Sequence, residues 1–516
     1  MNGRELNNKK TFQERGRSME KTRWTAMAMA AAMVISGGTV LPVMAEETAG
    51  ESAEVLTYEP HKIRTIITTD GEIDDQCSLV RYMLYANMFE LEGLVSSSSK
   101  FHYTTKEGEV FKGKTENQKW IDAYAQVYDN LCKHADGFPD PEYLTSINVE
   151  GNVTAPGEMG TDTPGSLLIK KCIMDEREDM LFLQVWGGAN TIAAALRSIE
   201  EEYKGTDQWE EVYKKVCDKI VLWNDLDQDN TVNDYILPNW PDVKVIMSYD
   251  QFWAIGYPWS STVPETYHQY FDEEFMTKYI ANDANPLSQI YYNNLTSMGG
   301  EEERPIRFLS EGDTPNFFYI LDNGLRSWED PSYGGWAGRF DKVNCADDAW
   351  NIGSEDRDPM ATSGQMLSGY WNEASDGGDR YKPIWRWADD FQNEFAARME
   401  WCTEKYENAN HEPVVQVEEG IDLTARRGET VTLTAKTYDP DGDQVSVAFW
   451  QYGDADTYGG DVELLPGEGD RVSFMVPDDA KAGDTIHIIV DAADDDELPI
   501  SRYQRVIVTV GAEEEQ

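Results

Sequence analysis

The sequence predicts an α/β domain, a mainly parallel sheet flanked by helices, followed by an all-β sandwich. From Ile63 onward, β-branched apolar runs alternate with helix-period runs, the pattern of strands joined by crossover helices. After Asn410-His411-Glu412-Pro413 the helical pattern stops, and short alternating strands separated by Asp/Gly turns take over. The chain has 516 residues and is 40% hydrophobic, enough for more than one core. These observations set the expected boundaries: 61–408 for the α/β domain, 409–418 for a linker, 419–512 for the sandwich and 513–516 for an acidic tail.

The N-terminus reads as an export signal. Lys21 and Arg23 precede an apolar run from Trp24 to Ile35, then Gly37-Gly38, Pro42 and Val43-Met44-Ala45, ahead of Glu46-Glu47. A basic start, an apolar middle and a small-residue cleavage site describe a signal peptide over residues 1–45. A retained anchor is the alternative, and the Gly-Gly break and the cleavage site favour removal. The expected destination is secreted, extracellular or cell-surface. No other stretch is long and apolar enough to span a bilayer. Residues 46–60 read as a flexible lead.

In the α/β region, Thr65-Ile66-Ile67-Thr68-Thr69 is the first strand, and Leu79, Val80, Met83 and Leu84 mark the helix after it. Glu90 to Val95 is the second strand, ending in Ser96-Ser97-Ser98-Ser99. Helices are expected from Trp120 to Leu131 and from Gly165 to Cys172, the latter capped near Thr163 or Ser166. Met180 to Trp186 is a buried strand that meets Gly187-Gly188-Ala189-Asn190-Thr191 and a helix from Ile192. Lys219 to Trp223 and Val243 to Met247 complete the strands that can be read. Residues 255–305 are aromatic and polar, with no firm sheet element. Helices are expected from Asn316 to Leu321 and from Trp385 to Trp401, where Trp387, Phe391, Phe395 and Met399 form one core-facing stripe. The loop from Ser332 to Phe340 places Trp336 and Arg339 either in the core or against a sugar. In the C-terminal part, Thr430–Thr434, Val445–Trp450, Thr485–Val490 and Arg505–Val510 are strands of an immunoglobulin-like sandwich. Asp439, Asp441 and Asp443 read as an Asp/Gly turn or as a calcium-binding turn.

Charge and cysteines exclude some functions. A net charge of −51 repels nucleic-acid backbones and anionic membranes, so no nucleic-acid partner is expected. The six cysteines are scattered without a CxxC pair, which indicates neither a zinc site nor a compact disulfide framework. Cys77 reads as a buried packing thiol.

Chemistry concentrates in Asp70-Gly71-Glu72-Ile73-Asp74-Asp75. Asp70 falls at a strand tip, and Asp74 and Asp75 fall at a helix start, where the dipole favours anions. Ligands of open α/β sheets gather beyond the carboxyl ends of strands. Three carboxylates this close repel one another unless a cation lies among them, and a hard divalent ion suits oxygen ligands. Helix capping alone is the alternative, although capping needs only one of the three. Asp313 reads either as a ligand or as an N-cap before Pro315, with Glu311 a possible substitute. Asn190 reads as a turn residue or a ligand, and Asp225, Asp227 and Asp229 read as substrate contacts or as an acidic loop of the kind usually solvated.

This aspartate loop resembles the signature of the nucleoside hydrolases, a strand-end Asp followed four and five residues later by an Asp pair. Val185-Trp186-Gly187-Gly188-Ala189-Asn190-Thr191 and Glu311-Gly312-Asp313 look like that superfamily's glycine loop and late acidic loop. Within it, Thr68-Thr69-Asp70-Gly71, Glu311-Gly312-Asp313-Thr314-Pro315, Gly334-Gly335-Trp336 and Arg502-Tyr503-Gln504-Arg505-Val506 are similar to secreted proteins often named cellulose-binding. The resemblance spans residues 61–512. It implies a calcium ion held by Asp70, Asp75, Asp313 and the Trp186 carbonyl, with sugar bound by Asp74, Asn190 and Asn224. It further implies that Asp70 takes a proton from an attacking water, and that a nucleoside-like compound or a glycan, such as plant cell-wall polysaccharide, is the substrate. A homo-oligomer is implied by the same analogy. The sequence departs from the superfamily at Gly312, where a His commonly precedes the Asp, so no group to protonate a base is evident. The rival expectation is a carbohydrate-binding protein with little or no nucleosidase activity.

Overall fold

The computed structural model describes residue 56 and residues 60–105, 113–297, 307–342 and 371–512. The expected signal peptide, almost all of the lead, the acidic tail and Cys345 lie outside the described residues. Eight strands form one sheet: β1 (Ile63–Thr69), β2 (Phe89–Ser96), β3 (Asn148–Glu150), β4 (Leu181–Val185), β5 (Ile220–Asp225), β6 (Lys244–Ser248), β7 (Phe340–Lys342) and β8 (Trp371–Glu373). Their spatial order is β3-β2-β1-β4-β5-β6-β8-β7, parallel throughout except for the β7–β8 pair. Four helices position the site and the domain seam: α1 (Ile73–Leu84), α2 (Asn190–Tyr203), α3 (Thr314–Phe318) and α4 (Ala388–Glu400). No helix among the described residues is long and apolar enough to cross a membrane.

The central strands are apolar at nearly every position because both faces of the sheet are covered. Successive residues alternate between two cores. Ile67, Phe182, Trp223 and Ile246 pack on one side, where α1, α3 and α4 lie, and Ile66, Leu183, Leu222 and Val245 pack on the other, with α2. Trp387, Phe391, Phe395 and Met399 are buried on the first side, as their stripe predicted. Trp336 is fully buried there too, and Arg339 is bonded to Asp376 and the Ser375 carbonyl, so that loop is core rather than sugar contact. Cys77 is buried and unpaired. The helix from Pro164 is capped by Thr163, whose hydroxyl accepts the Ser166 N–H while the Thr163 N–H bonds back to Ser166 Oγ. The described part of 255–305 holds only helical turns and short helices.

The C-terminal sandwich comprises β9 (Val414–Val417), β10 (Asp422–Ala425), β11 (Thr430–Tyr438), β12 (Ser446–Gln451), β13 (Leu465–Pro466), β14 (Arg471–Met475), β15 (Thr485–Ala493) and β16 (Ser501–Val510). One sheet runs β10-β16-β15-β12 and the other β13-β14-β11-β9, antiparallel apart from β10–β16. The stretch expected as a linker, 409–418, instead supplies β9, whose Val414–Val417 pair with Tyr438–Ala435. Alternating Val and hydrophilic residues there satisfy a sheet face, which a linker would not need.

The sandwich is welded to the α/β domain. The backbone of β16 bonds a loop of the other domain: Tyr503 N–H to the Asn323 carbonyl and Arg505 N–H to the Gly324 carbonyl, both at 3.0 Å. Gly324 has φ +91°, and a Cβ there would stand 1.7 Å from the Tyr503 carbonyl oxygen. Only glycine permits both the conformation and the approach. Tyr452, Ile489, Ile500 and Tyr503 of the sandwich belong to the same apolar cluster as α1 and α4. Beside them Arg502 grips Glu394 of α4 through two hydrogen bonds of 2.8 and 3.0 Å, and Arg398 bonds the same carboxylate at 2.8 Å. Glu412 lies within 3.2 and 3.3 Å of those two guanidiniums.

Candidate metal centre

Parallel neighbours β1, β4 and β5 end at the same edge of the sheet, so the loops after them meet there. Gly71, at φ +77°, turns the chain from β1 into α1. Asp70 therefore sits at the strand tip, and Asp74 and Asp75 occupy the first turn of α1. Asp313 arrives from across the molecule, at the N-cap position of α3. Asp74, Asp75 and Asp313 each place a carboxylate oxygen within 4.8 Å of the other two.

The surroundings make this a hard-cation setting. Asp313 is 1% exposed, and neither of its carboxylate oxygens has a hydrogen-bond partner. Asp70 is fully buried; its Oδ1 takes the Glu72 N–H at 3.4 Å, while Oδ2 has no partner. Asp75 accepts a short hydrogen bond from Thr69 Oγ1. Asp74 lies at the half-buried rim, 3.4 Å from the Tyr257 hydroxyl. Burial, then the charge of Asp70, pushes the Asp74 carboxyl up to about 6. Burial and the neighbouring aspartates raise Asp75 and Asp313 well above the usual carboxylate range, and burial raises Asp70. Among the described residues no Lys or Arg pairs with any of these four. Arg81, farther along α1, is spent on Glu311. An all-oxygen donor set and two orphaned oxygens on one buried carboxylate, with no Lys or Arg paired to it among the described residues, fit calcium.

Glycines hold the acids close. A Cβ on Gly312 would stand 3.1 Å from Asp74 Oδ2 and 3.4 Å from Asp225 Oδ2, and one on Gly187 would stand 2.8 Å from Asp70 Cγ. The position where the superfamily commonly has His is therefore a packing glycine in this chain.

The other expected site residues surround this group without all joining it. Asp70 stands beside, but outside, the three-carboxylate group to which Asp74 belongs. The Trp186 carbonyl, at the end of β4, already accepts Gln228 Nε2 at 2.8 Å, with its second lone pair left over, and the indole is core. Asn190 is buried at the start of α2, donating to Ser98 Oγ at 2.9 Å and the Asn152 carbonyl at 2.8 Å, with Oδ1 unpartnered. Asn224, fully buried in β5, donates to the Ile246 carbonyl at 3.5 Å, also with Oδ1 unpartnered. Glu311 is no substitute ligand: beyond Arg81 it accepts from Tyr291 and from Thr314, at 2.6 and 2.9 Å. Asp227 and Asp229 are not solvated. Asp227 caps the Val232–Asn233 turn, and Asp229 takes the Asn190 N–H at 2.9 Å and the Thr231 N–H at 3.0 Å. Leu226, between them and Asp225, is held at φ +62°.

Sequence reasoning missed Thr69, Tyr257 and His102, whose Nδ1 lies 3.0 Å from the Asp70 carbonyl. Tyr257 is 41% exposed at the rim. It belongs to the aromatic and polar stretch 255–305, in which no firm sheet element can be read, and the aromatic richness of that stretch was the available signal.

Residues 64–340 match a family profile described as cellulose-binding Sde182, nucleoside hydrolase-like domain, and residues 430–510 match the C-terminal domain of cellulose-binding protein Sde0182. The chain is similar to the structure of a nucleoside hydrolase-related hypothetical protein from Saccharophagus degradans that is described as associated with carbohydrate metabolism. The two are 29% identical with a TM-score of 0.69, over 87% of this chain and 100% of that one. Two further structures, the titin M3 domain (13% identical, 19% of this chain and 97% of that chain) and an endo-fucoidan hydrolase of glycoside hydrolase family 107 (9%, 88% and 80%), overlay with TM-scores of 0.14 and 0.17, too low to carry an argument. No curated protein matches the chain.

Proposed function

The chain belongs to the cellulose-binding Sde182 family with its nucleoside hydrolase-like domain, and from that premise we propose that it is an exported, calcium-dependent hydrolase of glycosidic bonds, with N-glycosyl compounds the leading class. The observation that carries the reading is the group of Asp74, Asp75 and Asp313, in which both oxygens of Asp313 are buried and unpartnered. Asp75 and Asp313 would hold the cation, with Asp74, Asp70 and the Trp186 carbonyl at hand to complete the shell. A bound divalent ion lowers the pKa of water and supplies a nucleophile near neutral pH.

The chain's own residues do the rest. Asp70 Oδ2, buried and without a donor, accepts the proton released by the attacking water. His102 bonds the Asp70 backbone and fixes the strand tip. Asp74 and Tyr257 at the rim bind sugar hydroxyls and one sugar face, and the spare carbonyl oxygens of Asn190 and Asn224 can take further hydroxyls. The carboxylates also stabilise positive character at the anomeric carbon. The test is release of free sugar from nucleosides and from cello-oligosaccharides in calcium. Asp70→Ala should abolish it, and full activity of that variant would sink the mechanism.

A second reading, glycan binding without turnover, is favoured by Gly312, which leaves no acid in the place where the superfamily commonly protonates a base, and by the family's description as cellulose-binding. Retention on insoluble cellulose without sugar release would support it. No retention on any glycan argues against it.

A further inference from the structure

We propose that the turn Asp439-Pro440-Asp441-Gly442-Asp443 in the sandwich is a second calcium-type site, separate from the pocket above the parallel sheet. The turn joins β11 to β12, and each of its three aspartates places a carboxylate oxygen within 4.8 Å of the other two. Asp439 is 8% exposed. Its Oδ1 takes the N–H groups of Asp441, Gly442 and Asp443 at 2.8, 2.9 and 3.0 Å. Its Oδ2 is buried and has no hydrogen-bond partner. A buried carboxylate oxygen without a donor is costly, and a cation is the partner that also relieves the neighbouring acids. Alternate aspartates with a glycine at φ +89° form the kind of oxygen-rich loop that holds calcium.

The electrostatics support the assignment. A second turn brings Asp494, Asp495 and Asp496 alongside: Asp495 Oδ1 accepts the Gln444 N–H at 2.9 Å, and Asp494 Oδ2 accepts Asn410 Nδ2 at 3.1 Å. Against these acids stands one imidazole, His411, with Nδ1 3.0 Å from Asp441. No Lys or Arg among the described residues forms an ion pair with them. Asn410 and His411 belong to the chain that connects the two domains, so a cation here would brace that connection.

The probe is calcium alone, titrated calorimetrically into the chelator-treated full chain. In an Asp75→Asn/Asp313→Asn background, one equivalent should still bind, with a dissociation constant of about 10⁻⁴–10⁻³ M. Adding Asp439→Asn and Asp443→Asn should weaken that binding at least about tenfold. Asn at 439 keeps the oxygen that receives three N–H groups, so the turn can still form. Should the background variant not fold, the same two turn substitutions in the wild-type chain should reduce calcium from two equivalents to one. An unchanged titration after the turn substitutions, or no calcium bound by a folded background variant, overturns the proposal.

Discussion

Both carboxylate oxygens of Glu311 bond the guanidinium of Arg81, and neither side chain has any exposed surface. The pair ties the loop carrying Asp313 to the helix carrying Asp74 and Asp75. Arg81 is itself fixed by the Phe391 carbonyl at 2.8 Å and by the Phe395 ring, whose centroid lies 3.8 Å from the guanidinium carbon. Arg81→Leu would strand a buried carboxylate, costing about 3–5 kcal/mol. It should also weaken calcium binding, because Asp313 loses its anchor. Denaturant melts with and without calcium check both effects; a variant as stable as wild type would refute the account.

Removing a ligand should behave differently. Asp313→Asn relieves a buried, unpartnered charge, so the chelated protein should be as stable as wild type or more so, while calcium no longer raises its melting temperature. A calcium-induced shift of wild-type size in this variant would exclude Asp313 as a ligand.

The two glycines after Trp186 should separate function from folding. At Gly187 an added Cβ meets the Asp70 carboxyl at 2.8 Å, whereas at Gly188 it meets the Ser98 carbonyl at 2.1 Å and Asp229 Oδ2 at 2.4 Å. Gly187→Ala should displace Asp70, lowering activity at least about tenfold at a stability cost of about 1–3 kcal/mol. Gly188→Ala should cost more stability, since backbone must move. Comparing turnover and unfolding midpoints of the two variants decides the matter.

Stability in chelator should peak at about pH 4. Burial would raise Glu412, but Arg398 and Arg502 outweigh it and hold the carboxyl at about 2. The stability it contributes is present above its ordinary value of 4.5 and lost as pH falls toward 2. Glu373 and Asp456 are pushed up to about 7, chiefly by burial. Folded chains therefore hold protons that unfolded chains release between their ordinary values and 7, so stability falls as pH rises across that window. Thermal melts from pH 3 to 9 test this, and a maximum at pH 8 would contradict it.

The parts of this architecture that could be read from the chain are those whose logic is local. The Asp70–Asp75 loop announces itself because strand, turn and helix start succeed one another within a dozen residues. The buried strands are legible because both faces demand apolar side chains. What was hidden depends on partners far along the chain. Glu311 and Asp313 looked interchangeable until Arg81, on a helix in the other half of the domain, claimed one of them. Asp227 and Asp229 resembled a solvated loop because their donors, among them the Asn190 N–H at the start of α2, are named by the fold alone. Residues 409–418 looked like spacer because a four-residue edge strand carries little pattern of its own.

The seam at Gly324 and Tyr503 has a mechanical consequence. With strand backbone bonded across it, aromatic packing beside it and the Arg502–Glu394 grip below, the sandwich has no pivot on which to swing. If the sandwich rests on an insoluble glycan, as the second reading above proposes, the aspartate group keeps one fixed attitude toward that surface. Exploration of an insoluble polymer would then proceed by movement of the whole particle, not by the sweep of a tethered arm.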